Sequence, residues 1–152
     1  MSVGIVVGAG GGIGSACARA LDATADLVVL AGRSNVRLQA TTAALTGKTS
    51  TVVADITTAD GREAIAGAVP PTDEIAWLIL ASGVPLRGPL AQLVPADIQD
   101  ALMTNLVGPT LLIRRHQPKR RADHNRQSQP DFPDHVSLPL GRLQPPLLLK
   151  CI

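Results

Sequence analysis

The sequence has 152 residues, of which 45% are hydrophobic and 17% are charged, and its formal net charge is +2. This length and composition are typical of one soluble domain and exclude a disordered chain, a collagen-like chain or two complete domains. The first apolar run is short, interrupted by glycines and not preceded by basic residues, so neither a signal peptide nor a membrane span is predicted and we expect a cytoplasmic protein.

The cysteines and histidines do not suggest a metal or redox site. Cys17 and Cys151 lack a CxxC spacing, which favours ordinary reduced thiols. The three histidines lie in a segment rich in arginine and proline, where solvated side chains are more common than metal ligands: His116, His124 and His135. We therefore predict no metal.

The composition changes near residue 114. Residues 1–113 contain six Lys and Arg against nine Asp and Glu, whereas residues 114–152 contain eight against three. The second segment also holds six of the twelve prolines and shows no clear periodicity. We predict a folded domain over residues 1–113 and an irregular basic tail over residues 114–152, a switch that a truncation or a disrupted reading frame would produce.

Buried-strand patterns and helical spacings alternate along residues 3–113. Short apolar runs predict four strands, at residues 3–8, 27–31, 50–54 and 75–81. Apolar residues at helical spacing predict four helices, at residues 13–21, 35–45 with Asn35 as the N-cap, 58–68 and 95–113. This alternation requires a parallel sheet with helices on both faces, a doubly wound, Rossmann-type α/β fold. Because four strands are only part of such a sheet, the predicted fold is incomplete.

A glycine-rich loop separates the first strand from the first helix, with the sequence Gly8-Ala9-Gly10-Gly11-Gly12-Ile13-Gly14. Glycines let the chain turn sharply and bring backbone N–H groups close to a pyrophosphate at the positive end of the helix. A loop of this kind on its own is weak evidence, because a plain tight turn has the same composition. The flanking strand and helix favour a dinucleotide site, with the candidate contacts Gly8, Gly10, Gly12, Ile13 and Gly14.

The pattern Gly8-x-x-x-Gly12-Ile13-Gly14 resembles the cofactor loop of the short-chain dehydrogenase/reductase family. Three further stretches resemble that family in order and spacing: Asp55 after the third strand, Leu80-Ala81-Ser82-Gly83 after the fourth, and Asn105-Leu106-Val107-Gly108 in the last helix. The family has Asn-Asn-Ala-Gly after the fourth strand, and only Gly83 is kept here.

The resemblance implies a role for each of these residues. Asp55 would meet the adenine ring, Gly83 would belong to the cofactor site, and Asn105 would support the catalytic proton relay. The residues alone leave other roles open, since Asp55 can cap the following turn and Asn105 can bond to a neighbouring backbone group.

The residues after the second strand bear on the choice of cofactor. An acidic side chain there would hydrogen-bond the ribose 2′-OH of NAD, whereas this chain has Ala31-Gly32-Arg33-Ser34. The guanidinium of Arg33 can hold a 2′-phosphate with two hydrogen bonds, so NADP is favoured over NAD. The alternative is that Arg33 is a solvated surface arginine, and Gly11 supplies no second basic residue in the loop.

The sequence contains no tyrosine. The resemblance implies hydride transfer between a nicotinamide and a carbonyl or alcohol, with a tyrosine as general acid and base, a lysine that lowers its pKa and a serine that orients the substrate. A Tyr-x-x-x-Lys pair is absent, and Ser137 follows prolines and charges where the family serine follows a buried strand. We expect either an oxidoreductase by family that is inactive as given, a non-enzymatic nucleotide-binding module, or a non-functional fragment.

Partners other than the dinucleotide are less defined by the sequence. The charge of the tail is compatible with a basic arm for nucleic acid or acidic partners. A solvated, disordered tail is favoured over such an arm, because no aromatic residue beyond Phe132 interleaves its charges. Without a fifth strand, the fourth strand would be an open edge and the apolar face of the last helix, formed by Leu102, Leu106 and Ile113, would be uncovered. Both features predict self-association.

Overall fold

The computed structural model describes residues 1–116 and the backbone of residues 147–150. Five strands form one sheet, and every neighbouring pair is parallel. The strands are β1 (Ser2–Val7), β2 (Leu27–Gly32), β3 (Thr49–Val53), β4 (Glu74–Leu80) and β5 (Leu147–Lys150). Their order in the sheet is β3-β2-β1-β4-β5, which confirms the predicted Rossmann-type α/β architecture.

Helices connect the strands and continue the chain beyond β4. They are α1 (Gly12–Asp22), α2 (Asn35–Thr42), α3 (Ala59–Gly67), α4 (Pro95–Leu102) and α5 (Gly108–His116). A π-helical segment, Met103–Val107, joins α4 to α5, and a short 3₁₀ turn, Leu90–Gln92, precedes α4. The prediction of one regular helix over residues 95–113 is therefore wrong in its middle, where the Gly108 N–H bonds to the carbonyl of Met103, five residues back.

The start of α2 also differs from its prediction. Ser34, not Asn35, is the N-cap, because the Ser34 hydroxyl accepts a hydrogen bond from the backbone N–H of Arg37 at 3.4 Å. Asn35 is the first helical residue, and the helix ends at Thr42 instead of residue 45. Serine and asparagine are nearly equal in N-cap preference, so the sequence did not distinguish them.

Side chains at alternate strand positions enter two separate cores, one on each face of the sheet. The first core joins one face to α3 and α5 and contains Val3, Ile5, Val7, Ile65 and Leu112. The second core joins the other face to α1 and α2 and contains Val6, Val28, Leu30, Leu21 and Leu38. Full burial of such a side chain contributes about 1.5–3 kcal/mol, so the two cores fix the sheet and its covering helices in place.

The β4 strand is not the open edge that the sequence predicted. β5 pairs with it in parallel, from Trp77 opposite Leu147 to Leu80 opposite Lys150. Three consecutive leucines behind a proline pair are an apolar run of the kind that parallel strands favour, but four residues are too few for periodicity to reveal a strand. His124, His135, Ser137 and Cys151 lie outside the described residues.

The last helical stretch is only partly uncovered. Leu102 and Leu106 are 50% and 54% exposed, as predicted for a helix without a covering layer. Ile113, in contrast, is half-buried and packs against the first core, so its predicted exposure is wrong. None of the helices in the described part of the chain has the length and apolar character to cross a membrane.

Candidate functional site

The carboxyl ends of β1 to β4 border a cleft of about 350 Å³. β1 lies between β2 and β4, so the strand order reverses at β1. In open α/β sheets, this reversal opens a crevice beyond the carboxyl ends of the strands, and ligands bind there. The segments at the carboxyl ends of all four strands contribute to the lining, among them Gly8, Gly32–Ser34, Ala54–Ile56 and Ala81–Gly83.

Three glycines of the loop allow close packing around it. Gly8 has φ +84°, and a Cβ there would lie 2.6 Å from the backbone nitrogen of Ser82. A Cβ at Gly14 would overlap the carbonyl oxygen of Gly8, and a Cβ at Gly10 would lie 2.7 Å from the Cβ of Arg37. The absent side chains thus let the loop touch the end of β4, the start of α1 and the first turn of α2.

Gly12 differs from these three glycines, because a Cβ there would meet no protein atom within 4 Å. It begins α1, a helix with no side-chain N-cap and no acidic residue in its first turn. By comparison, α2 and α3 are capped by the hydroxyls of Ser34 and Thr58. The start of α1 therefore has an open approach and an uncompensated positive end.

The backbone N–H groups at the start of α1 are available to a ligand. Within the described residues, no hydrogen bond joins the N–H of Gly12, Ile13 or Gly14 to an acceptor. The first turn of a helix leaves such donors unsatisfied, and an anion is one of the groups that satisfies them. The Ile13 side chain is 52% exposed and, like Gly12 and Gly14, lies outside the cleft lining at the start of this helix.

Arg33 and Asp55 both line the cleft, at the ends of β2 and β3. Asp55 Oδ1 accepts hydrogen bonds from the backbone N–H and the hydroxyl of Thr57, at 2.9 and 2.8 Å. The Thr57 N–H is the main cause that lowers the pKa of Asp55, and the Thr57 hydroxyl and the charge of Arg33 lower it further against the effect of burial. Asp55 therefore caps its turn, and its Oδ2 accepts no hydrogen bond from residues 1–116.

Asn105 holds the loop that follows β4. Its Oδ1 accepts a hydrogen bond from the Val84 N–H at 2.8 Å, and its Nδ2 donates one to the Val84 carbonyl at 2.9 Å. A Cβ at Gly83, in the cleft lining, would lie 3.4 Å from the same Oδ1. Gly108 approaches the loop after β3 more closely, since a Cβ there would lie 2.8 Å from the Ile56 carbonyl oxygen. The Asn-x-x-Gly motif thus packs the π-helical region against two walls of the cleft.

The cleft lining includes polar residues that were not predicted from the sequence, among them Arg37, Ser82 and Thr104. Arg37 occupies the first turn of α2, and a basic residue four positions after Arg33 was a usable signal. The Ser82 Oγ is buried and has no hydrogen-bond partner among the described residues, a buried polar atom of the kind that a ligand or a water satisfies. The sequence feature that could have revealed Ser82 is a serine at the position where the resembled family has alanine.

The fold and the cleft together are those of a Rossmann-type α/β protein. The family model described as short chain dehydrogenase matches residues 2–124. The chain belongs to the short-chain dehydrogenase family. No match was found among curated proteins.

Solved structures of related proteins share this fold. A metagenomic short-chain oxidoreductase in complex with NADP is 32% identical, with a TM-score of 0.65, over 74% of this chain and 53% of that protein. The citronellol catabolism dehydrogenase of Pseudomonas aeruginosa PAO1 is 29% identical (TM-score 0.67), over 76% and 48%. A short-chain dehydrogenase/reductase of Brucella melitensis, described as a glucose/ribitol dehydrogenase, is 29% identical (TM-score 0.68), also over 76% and 48%. The chain thus spans about half the length of the structures that it matches.

Proposed function

We propose that this chain binds NADP across the carboxyl edge of its sheet, with the diphosphate at the start of α1. The observation that carries the proposal is the uncapped helix start, where three backbone N–H groups have no acceptor among the described residues. At the first of these positions, Gly12, no protein atom lies within 4 Å of where a Cβ would be. A diphosphate supplies the oxygens and the negative charge that such a helix start binds. The Ser82 Oγ further along the cleft is buried without a hydrogen-bond partner in the described part of the chain, which supports a polar ligand that continues past β4.

The adenosine half of NADP would lie between the ends of β2 and β3. Arg33 offers a planar guanidinium for the 2′-phosphate, and the Oδ2 of Asp55 remains available to accept a hydrogen bond from the adenine amino group. A related protein with 32% identity was solved in complex with NADP, which supports the same cofactor here. The absence of an acidic residue in Gly32–Ser34 argues against a site selected for NAD.

We further propose that the 152 residues bind the coenzyme without turning over a substrate. Bound NADP would supply hydride transfer to or from a carbon atom, as expected for the family. That chemistry also needs a general acid to exchange a proton with the substrate oxygen. No tyrosine occurs in the sequence, and the Asn105 amide, which is already bonded to Val84 at both ends, does not titrate.

A fluorescence titration combined with an activity assay tests both parts of this proposal. NADPH is titrated into the purified chain and followed by the emission of its nicotinamide. The same preparation is then incubated with NADPH and a panel of aldehydes and ketones, and with NADP and the matching alcohols. We expect saturable binding and no change in the absorbance of reduced nicotinamide above the protein-free control.

Each other outcome contradicts a defined part of the proposal. Absence of binding by folded protein would rule out the nucleotide site and leave a non-functional fragment. Turnover of any carbonyl or alcohol would show that the chain is an active oxidoreductase with a proton donor other than tyrosine.

A further inference from the structure

Two arginines line the part of the cleft nearest α2. Arg33 follows β2, and Arg37 lies one helical turn later, in the first turn of α2. We propose that Arg37 is a second specificity-determining residue, which acts with Arg33 on the 2′-phosphate of NADP. This inference rests on the proposed binding of NADP. It explains the preference of the site for NADP over NAD by the charges of both arginines.

The base of Arg37 is fixed against the glycine-rich loop. A Cβ at Gly10 would lie 2.7 Å from the Arg37 Cβ, so the loop backbone packs on the root of this side chain. One turn later, the buried Thr41 hydroxyl donates a hydrogen bond to the Ala9 carbonyl at 2.9 Å. α2 is therefore attached to the loop at two points. These two contacts fix the backbone and the Cβ of Arg37 relative to the glycine-rich loop, where the diphosphate is proposed to bind.

The direction of Arg37 also favours the cleft. Its backbone N–H donates to the Ser34 hydroxyl, which places Arg37 three residues after the N-cap. Long side chains in helices lean back toward the N-terminus of the helix. At Arg37 that direction leads toward Ser34 and the end of β2, and all three of Arg33, Ser34 and Arg37 line the cleft.

The charges of the cleft indicate why one arginine is not sufficient. Among the described residues that line the cleft, Asp55 is the only carboxylate, and Arg33 and Arg37 are the only basic side chains. The charge of Arg33 already acts on Asp55, so that without Arg37 the lining would be neutral. Neither arginine forms an ion pair within residues 1–116. Arg37 therefore supplies the net positive charge that a phosphate dianion needs.

Binding measurements on charge-removing variants test this inference. The dissociation constants of NADPH, NADH and the probe adenosine 2′,5′-bisphosphate are measured by calorimetry for the wild type, Arg37→Gln and Arg33→Gln. Arg19→Gln is the matched control, because Arg19 is exposed, lies in the last turn of α1 and does not line the cleft. We expect Arg37→Gln to weaken NADPH and the bisphosphate about tenfold, the loss of one charge-assisted contact, and to leave NADH unchanged.

Two further variants separate a charge effect from a structural one. Arg37→Lys keeps the charge without the planar fork and should retain part of the NADPH preference. Arg33→Gln combined with Arg37→Gln should bind NADPH and NADH equally.

The outcomes that overturn the inference are distinct from failure of the proposed function. Equal weakening of NADPH and NADH by Arg37→Gln would show that Arg37 only supports the structure of the loop. No change in any affinity would leave Arg33 as the sole contact of the 2′-phosphate. Failure of the wild type to bind either coenzyme would refute the proposed function itself, and the inference with it.

Discussion

Gly12 and Gly14 are two residues apart in one loop, but the protein itself leaves no room for a side chain only at Gly14. At Gly14 the helix start approaches the backbone of Gly8 so closely that a Cβ would overlap its carbonyl oxygen. At Gly12 a Cβ would meet no protein atom within 4 Å. Gly14 is thus required by the fold, whereas we expect Gly12 to be required only by the proposed ligand at the start of α1.

Gly12→Val should therefore weaken coenzyme binding without lowering stability, whereas Gly14→Ala should lower stability. Gly12→Val should change the free energy of unfolding by no more than about 0.5 kcal/mol, as is usual for exposed positions, and should weaken NADPH binding by about tenfold or more, because the side chain occupies the approach of the diphosphate. Gly14→Ala should lower stability by about 1–3 kcal/mol through overpacking. Urea unfolding and NADPH titration of both variants measure these effects, and a strongly destabilised Gly12→Val protein would contradict the prediction.

Residue types and spacing predicted much of the candidate site, but they did not reveal partners that are distant in sequence. Gly8, Gly10, Arg33, Asp55 and Gly83 all line the cleft, because parallel strands bring their carboxyl ends to one edge of the sheet. The pairing of Asn105 with Val84 depends on how a helix packs on a loop twenty-one residues away, and the sequence does not encode that contact as a pattern. The position of Arg37 four residues after Arg33 was a usable signal, but its packing against Gly10 of the loop was not visible in the sequence.

At the scale of elements, carboxylates tie helix ends and strands to neighbouring turns. Asp22, the last residue of α1, accepts hydrogen bonds from the Thr46 N–H at 2.8 Å, the Thr46 hydroxyl at 3.0 Å and the Gly47 N–H at 2.9 Å. The Thr46 N–H is the largest cause that lowers the pKa of Asp22, followed by that of Gly47. Asp26 has a lowered pKa too, mainly through the backbone N–H of Ser2.

These pKa shifts predict a loss of stability in acid. A carboxyl whose pKa is lower in the folded state than its unfolded value of about 3.9 stabilises the fold above that value. The contribution is lost as the pH falls through the folded pKa. Asp22→Asn should therefore flatten the acid limb of a stability–pH curve measured by urea unfolding. Asp100→Asn is the control, since Asp100 accepts no side-chain hydrogen bond among the described residues, and an equal flattening in both variants would contradict the role of Asp22.

Elements with many residues were predicted better than short or irregular ones. The first four strands and the helices between them agree with their predicted positions to within about three residues, because buried apolar runs and caps mark them. The π-helical segment at Met103–Val107 keeps an apolar spacing close to that of an α-helix and so was not distinguished from one. β5 lies in a basic, proline-rich segment whose composition masks a run of three leucines.

For the whole molecule, the exposed apolar surface of the α4–α5 region is the main feature beyond the cleft. Leu102 and Leu106, four residues apart, are each about half-exposed. Because β5 pairs with β4, the helical surface and not the edge of β4 is the candidate contact between copies. Contiguous exposed apolar side chains of this kind commonly mark an interface.

We therefore expect self-association that depends on Leu102 and Leu106. The wild-type chain should sediment as a dimer or larger species at high protein concentration, and the double variant Leu102→Lys, Leu106→Lys should sediment as a monomer with an unchanged circular dichroism spectrum. Val36→Lys is the control, since Val36 is 80% exposed on α2. A wild type that stays monomeric across the concentration series would contradict this expectation.

Amide NMR of the glycine loop tests most directly whether its backbone N–H groups hold a diphosphate. Unlabelled NADPH is titrated into the ¹⁵N-labelled chain, and the amide resonances are followed to saturation. We expect Gly10, Gly12 and Gly14 to shift together along one saturation curve, while Gly47 and Gly67, which do not line the cleft, do not move. Saturating NADPH that leaves the loop resonances unchanged would contradict the assignment of this cleft as a dinucleotide site.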